Sequence, residues 1–558
     1  MYMLLCTVHL VFVDIITKKV NGKTYTRYLV RDSHRENGKI KHRTIANISK
    51  CSPEEIQAIK LALKYKGDLS SLLVDKGDIK ATTGLSVGSV FVLNKISKDL
   101  GITRALGNTE NAKRALWMIL SRLIEPGSKL ANTRLAETHA AVDVIGMDAF
   151  NEDDLYASLD WIASKQRIIE KRLFTTRHEG KKPHLFLYDV TSSYVEGEHN
   201  ELAEYGYNRD KKRGKKQIVL GLLTDDDGYP VSMEAFRGNT LDPKTFASQI
   251  SKLASEFGCE NVTMVGDRGM IKTEQIADLS GQNFFYISAI TKPQINTLLN
   301  QGIIQMELFT EKICEIDHDG TRYILRKNPV RAAEITGNRN GKVKAITDLV
   351  KKKNEYLEQH AKAEVPAALN EIHARIGKLK VSGFLNATAS GRLISLKTDE
   401  ESLAEESMLD GCYVMRSNVP ADVNKETIHQ RYKDLIQVED AFRTMKTGYL
   451  ELRPLYLRKE SRTRGHAFIV MLSYMIEKYI SEKWNDINAT VEEGIRELSS
   501  ISCMTIGVGA VKYSQIPKPR DLGARLLDAL GVRMPDAIQC TGIEVATRKK
   551  LELKRKKH

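Results

Sequence analysis

The stretch His184-Leu185-Phe186-Leu187-Tyr188-Asp189-Val190-Thr191-Ser192-Ser193-Tyr194-Val195 sets one acid inside a run of apolar and β-branched residues. Such a run reads as a buried strand. An ionised carboxylate is costly to bury there without a cation, so Asp189 asks for a partner. Working outward, Gln217–Thr224 and Tyr229–Phe236 read as two further strands joined by the turn signal Asp225-Asp226-Asp227-Gly228. Asp242-Pro243 then opens a helix to about Phe257, Val262–Asp267 is a short buried strand, Lys272–Leu279 is helical, and Phe284–Ile290 is another strand. The second strand-end acid lies in Val265-Gly266-Asp267-Arg268-Gly269, where the glycines let backbone or ligand approach closely. Taken singly, either Asp reads as a structural cap on the following turn. Taken together on one sheet, they favour a metal.

The order β-β-β-α-β-α-β resembles the ribonuclease H-like fold, a mixed sheet with acids at the ends of adjacent central strands. The expected fold class is α/β and multidomain: an RNase H-like core over residues 176–300 and 406–485, split by an insertion at 301–405. The insertion is expected to hold strand-like pieces at Gly302–Ile316 and Tyr323–Arg326, one Lys-rich helix at Ile346–Leu379 and a short strand at Leu393–Leu396. After it come a strand at Gly411–Arg416, one long helix at Lys425–Met445 and an apolar helix at Arg464–Lys483 that covers the core.

The long helix supplies a third acid. At 3.6 residues per turn, Tyr432 and Lys446 each lie nearly two turns from Glu439 and Arg443 one turn beyond it, so the four share a polar stripe. Val438, Phe442 and Met445 form the neighbouring apolar stripe, which leaves Glu439 at the boundary over the sheet edge. An amphipathic surface helix with intrahelical contacts has the same spacing.

The motifs around these acids resemble those of DDE insertion-sequence transposases of the cut-and-paste group, marked by Y-x2-R-x3-E-x6-K. Tyr432, Glu439 and Lys446 match, and Leu435 stands where the motif has Arg. Tyr188–Ser192, Arg237-Gly238-Asn239-Thr240 and Gly266-Asp267-Arg268-Gly269 are similar to the family's other segments, and the resemblance spans roughly residues 180–480. It implies that Asp189, Asp267 and Glu439 are at once the catalytic residues and the metal ligands. All-oxygen ligation suits two Mg2+ ions, with Mn2+ as substitute. The implied chemistry is a nick at the element end, then use of the freed 3′-hydroxyl for cleavage and strand transfer. The implied partner is double-stranded DNA, both terminal repeats and target, bound by a homodimer. The expected DNA contacts are Tyr432, Arg443, Lys446, Arg268 and Arg453, with Lys211, Lys212, Arg213, Lys215 and Lys216 from a basic run that Tyr205 and Tyr207 precede as stacking platforms. Two other readings share these features: an RNase H-like nuclease that cuts without joining, and a non-catalytic DNA-binding derivative of a transposase.

Bulk properties agree with a nucleic-acid partner. With 85 Lys plus Arg against 71 Asp plus Glu, the 558-residue chain carries +14, which favours a polyanion. No run of eighteen apolar residues occurs, so no bilayer-spanning segment is expected. No dinucleotide or P-loop fingerprint points to a metabolic enzyme. Met1–Ile16 is apolar but lacks the basic start and small-residue cleavage site of a signal peptide, and reads as a strand. Seven scattered cysteines without a C-x-x-C pair fit a reducing cytoplasm, and the resemblance implies a bacterial or archaeal one, with the protein nucleoid-associated. Residues 1–51, with Asn21-Gly22 and Asn37-Gly38, read as a small β unit. Residues 52–175 read as all-helical, the candidate DNA-end-binding domain because a helix can enter a major groove. Residues 486–558 form a C-terminal region ending in a basic tail.

Overall fold

The computed structural model describes residues 10–545 except 37–38, 67–78, 182, 198, 208, 211, 213, 447, 453–454 and 509–510. The Asn37-Gly38 turn and the tail Arg548–His558 lie outside the described residues.

The strands are β1 (Leu10–Val20), β2 (Lys23–Glu36), β3 (Lys39–Asn47), β4 (Ile79–Ser86), β5 (Leu185–Tyr194), β6 (Gln217–Asp225), β7 (Pro230–Arg237), β8 (Thr263–Gly266), β9 (Phe285–Ala289), β10 (Cys314–His318), β11 (Thr321–Lys327), β12 (Leu385–Ser390), β13 (Leu393–Thr398), β14 (Cys412–Ser417), β15 (Ser502–Val508) and β16 (Val511–Gln515). Eight of them form one mixed sheet in the order β10-β11-β14-β9-β8-β5-β6-β7. β5, β6 and β7 run as an antiparallel meander, while β8 lies parallel to β5 and β9 parallel to β8. β8 reaches β9 by a short crossover through helix Thr273–Gly281, while β5 reaches β8 by way of β6, β7 and helix Asp242–Ser255. The fold is thus mixed α/β around a large central sheet.

Side-chain alternation splits β5 between two cores. Phe186, Tyr188 and Val190 pack with Phe246, Ile250 and Leu253 on one face. Leu185 and Leu187 join Ile218, Leu220, Leu222, Val265 and Ile287 on the other face, in a larger core that includes Trp117, Leu159, Ile162, Phe442 and Phe468. The helices Glu110–Ile124, Glu152–Arg177 and Glu460–Lys483 therefore share one core with that face. Helices Glu460–Lys483 and Glu152–Arg177 come close at Gly465, where a Cβ would meet the Leu159 carbonyl oxygen at 2.3 Å.

Several elements differ from the sequence expectation. The region after Ser52 is not all-helical, because Ile79–Ser86 is a strand that pairs with β15. That pairing ties it to a C-terminal region in which helices Val491–Ser499 and Asp521–Ala529 bury Ile495, Leu498, Leu526 and Leu527. The strand-like piece at 302–316 narrows to β10, preceded by helix Lys292–Asn300 and a 3-10 turn at Met306–Leu308. β10 and β11 join the central sheet through β14, since Ile324 and Leu325 bury opposite faces into different cores. The Lys-rich helix is two helices, Pro329–Gln359 and Val365–Leu379, with Pro366 in the first turn of the second, where its missing N–H costs nothing. These two helices and the β12–β13 hairpin own a separate core of Ile346, Leu357, Ile372, Ile376, Phe384 and Ile394. The expected helix Lys425–Met445 is also two, Lys425–Lys433 and Ile436–Lys446.

At the N-terminus, β1, β2 and β3 form an antiparallel sheet with helix Pro53–Lys64 beside β1. Ser52 and Glu55 form a capping box at that helix's start. No helix among the described residues is long and apolar enough to cross a membrane.

Candidate active site

The same alternation that sends Leu185 and Leu187 into the larger core sends Asp189 out on that face. Tyr188 is in register with Gly266 on the parallel neighbour, so Asp267 emerges beside Asp189 at the end of β8. Val265 faces the larger core, and Asp267, two residues on, projects from that face too. Helix Ile436–Lys446 covers this face by burying Val438, Ala441, Phe442 and Met445. That leaves Glu439 exposed over the strand ends. The structure therefore brings Asp189, Asp267 and Glu439 together from two strands and a helix.

Electrostatics register the proximity. Burial pushes the Asp189 carboxyl up to about 7, against the hydrogen bond from the Val190 amide, and the charges of Asp267 and Glu439 push it further. The Arg209 guanidinium opposes them. The three carboxylates are not drawn into one ion's coordination sphere. Among the described residues, the acids whose oxygens all lie within 4.8 Å of one another are Asp225, Asp226 and Asp227. That cluster is the turn between β6 and β7, where Arg177 pairs with Asp225 and Asp227.

The break in the helix sets the polar stripe. The amides of Leu435, Gln437 and Val438 reach back three residues to Tyr432, Asp434 and Leu435, a 3-10 tightening. Leu435, at the motif's Arg position, is buried at this break as part of the larger core. Tyr432 belongs to the preceding helix, and its hydroxyl donates to Asp267 Oδ1 at 3.2 Å. Burial first, and then Asp267, raise that phenol well above its ordinary range.

Lys446 points inward. Its ammonium donates to Thr191 Oγ1 at 2.9 Å and to Asp210 Oδ1 at 2.7 Å, and only 9% of the residue is exposed. Asp210 Oδ2 in turn accepts from the Tyr194 amide at 3.1 Å. Beside it, Arg209 grips both oxygens of Asp242 at 2.6 and 2.7 Å, and its amide donates to Ser192 Oγ. Asp210 and Arg209 thereby anchor the basic run to the strand that carries Asp189. Sequence reasoning passed over Asp210, although a single acid inside Arg209–Lys216 was the available signal.

Of the other expected DNA contacts, Arg268 is exposed next to Asp267, and Arg443 is exposed and paired with Asp440 at 2.7 Å. Lys212 lies 5.8 Å from the Tyr194 ring, Lys216 the same distance from the Tyr205 ring, and Lys215 pairs with Glu196. Tyr205 and Tyr207 present largely exposed rings. Lys211, Arg213 and Arg453 lie outside the described residues.

Residues 180–476 match the family model described as Transposase DDE domain. Residues 13–71 match the model described as IS1634 family transposase, N-terminal domain. Among solved structures, the cryo-EM structure of a piggyBac transposase synaptic complex with hairpin DNA is similar at 8% identity and a TM-score of 0.36, covering 74% of this chain and 76% of that one. No curated protein matches the chain.

Proposed function

The chain belongs to the DDE transposase family, enzymes that act on DNA, and on that premise we propose that Asp189, Asp267 and Glu439 are its catalytic acids. One observation carries this reading: Tyr432 donates to Asp267 and Lys446 to Thr191, so the chain between them, with Glu439 in it, crosses the two strand ends that bear the aspartates. The strand order β7-β6-β5-β8-β9, antiparallel then parallel, supports an RNase H-like core beneath them.

The donor set fits divalent metal. Three carboxylates suit a hard cation such as Mg2+, and ligands from two strand ends and a helix suit sharing between two ions. Such ions, when bound, lower the pKa of the attacking hydroxyl and stabilise the leaving oxygen of an in-line displacement. The protein's own part is positional. Tyr432 holds Asp267 Oδ1, while Lys446 fixes Thr191 and Asp210 beside the strand that presents Asp189. Arg268, Arg443, Lys212, Lys215 and Lys216 offer cations to phosphates around the acids, and Tyr205 and Tyr207 offer faces to unpaired bases. The reaction is cleavage at element ends followed by strand transfer, carried out by a homodimer that holds two ends.

The test uses DNA flanking the chain's own gene, with and without Mg2+. Asp189→Asn, Asp267→Asn and Glu439→Gln should each abolish nicking and leave DNA binding within about threefold of wild type. Nicking retained in any one removes that residue from the site. Precleaved ends offered to the wild-type protein should be joined to a target duplex, and cutting without joining would make it a nuclease.

A further inference from the structure

Acids are absent from the sequence between Asp14 and Asp32, while Lys18, Lys19, Lys23, Arg27 and Arg31 fall within that interval. Residues 10–47 carry nine Lys or Arg against three acids, so +6 of the chain's +14 sits in this short segment. The fold concentrates the charge further. β1 pairs with β2 down to Val20 and Lys23 at the tip, but β3 pairs with β2 only from Leu29 onward. The pairs Ile16–Arg27, Thr17–Thr26, Lys18–Tyr25, Lys19–Thr24 and Val20–Lys23 thus form a bare two-stranded ribbon.

Every residue from Ile15 to Arg27 is exposed, including the apolar Ile15, Ile16, Val20 and Tyr25. A ribbon so bare is marginal alone in water and is built to meet a partner. Asn21 and Gly22, with φ of 51° and 78°, form a primed turn that keeps the strand twist rather than splaying it. Helix Pro53–Lys64 backs only the base, where Lys60 Nζ lies 5.8 Å from the Tyr28 ring. Tyr28 pairs with Ile15, so the helix side carries Ile15, Thr17, Lys19, Thr24 and Thr26. Ile16, Lys18, Val20, Lys23, Tyr25 and Arg27 face the other way.

We propose that the β1–β2 ribbon is a DNA-binding arm that enters a groove of duplex DNA. A two-stranded ribbon fits a major groove about 12 Å wide. Lys18, Lys19, Lys23 and Arg27 reach phosphates on its walls, threonine hydroxyls meet base edges, and Ile16, Val20 and Tyr25 cover apolar edges such as thymine methyls. The inference rests on the reading of the chain as a DNA transposase, and it adds duplex binding by a strand pair that precedes the helices after Ser52.

The experiment uses the full chain and a mixed-sequence duplex of about three helical turns, with binding measured by fluorescence anisotropy over a KCl series. Replacing Lys18, Lys19, Lys23 and Arg27 together by alanine should weaken binding at least tenfold at about 150 mM salt. It should also flatten the slope of log K against log salt by about three to four. The charge-keeping variant K18R/K19R/K23R/R27K should behave as wild type. An unchanged slope in the alanine variant overturns the proposal, as does equal loss in the charge-keeping variant. Metal-dependent nicking by wild type reads the active site separately, so nicking with an unchanged slope refutes the arm and leaves the acids standing. A wild-type dimer that dissociates in the alanine variant while the slope holds gives the ribbon to a second copy of the chain and also overturns the proposal.

Discussion

Lys446 offers a sharp test, because family resemblance and structure give it different work. As a phosphate contact it would point outward, yet its ammonium is buried against Asp210 and Thr191, and the Asp210 side chain is only 3% exposed. Replacing it in Lys446→Met keeps the aliphatic stem and removes the ammonium that pairs with Asp210 Oδ1 inside the protein. Breaking a buried pair from one side costs about 3–5 kcal/mol, a large share of the roughly 5–15 kcal/mol that holds a protein together. In the double variant D210N/K446M the pair is removed from both sides, so about 2–4 kcal/mol should return. Urea unfolding followed by tryptophan fluorescence reads this directly, since Trp117 and Trp484 sit in the core that helix Ile436–Lys446 shares. DNA binding by Lys446→Met should keep the wild-type salt slope. If Lys446→Met is as stable as wild type and its slope falls by about one, the ammonium meets a phosphate and the buried pair has no structural role.

Three further outcomes follow from other contacts. Tyr432→Phe removes only the hydroxyl at 3.2 Å from Asp267 Oδ1, and nicking in a Mg2+ titration should fall about two- to tenfold, whereas full activity at every metal concentration refutes the positioning role. Burial raises Glu477 from 4.5 to about 7, against the pull of Lys478, so the fold favours its protonated form: that stability is present below pH 4.5 and lost as pH rises through 7. Glu477→Gln should match wild type near pH 4.5 and exceed it by up to about 3 kcal/mol above pH 8, and a difference independent of pH would refute the assignment. Gly465→Ala places a methyl 2.3 Å from the Leu159 carbonyl oxygen, so it should destabilise by about 1–3 kcal/mol, and an unchanged midpoint would show that the two helices slide apart freely.

What was legible in the sequence was whatever burial writes into period. β5 to β9 read clearly because two-sided burial makes their residues almost wholly apolar, and an acid in that setting stands out. β4 did not read as a strand because Ile79–Ser86 is largely polar and takes its pairing from β15, more than four hundred residues away, a contact that no local window contains. The first half of helix Pro329–Gln359 was hidden by Gly337 and Gly341, which weaken a helical pattern that tertiary packing overrides. The break at Asp434 and Leu435 was invisible for another reason. A 3-10 turn shifts the stripe slightly and leaves the spacing of apolar residues on either side nearly intact.

That break explains why the spacing of Tyr432, Glu439 and Lys446 matters more than the helix it was first drawn on. Fourteen residues of near-helical chain span about 21 Å at 1.5 Å per residue, enough to cross strand ends spaced about 4.8 Å apart. Tyr432 meets Asp267 at the end of β8. Lys446 meets Thr191, two residues beyond Asp189 on the same face of β5. Glu439, midway between these anchors, is the one member of the series left exposed, and its charge acts on Asp189. The two ends of the motif are tied to the two strands that bear the aspartates, and this fixes the glutamate between them. An arginine in place of Leu435 would have to leave the core at the turn that makes this alignment. On this geometry a buried leucine there keeps the turn that aligns Glu439 between the two anchors.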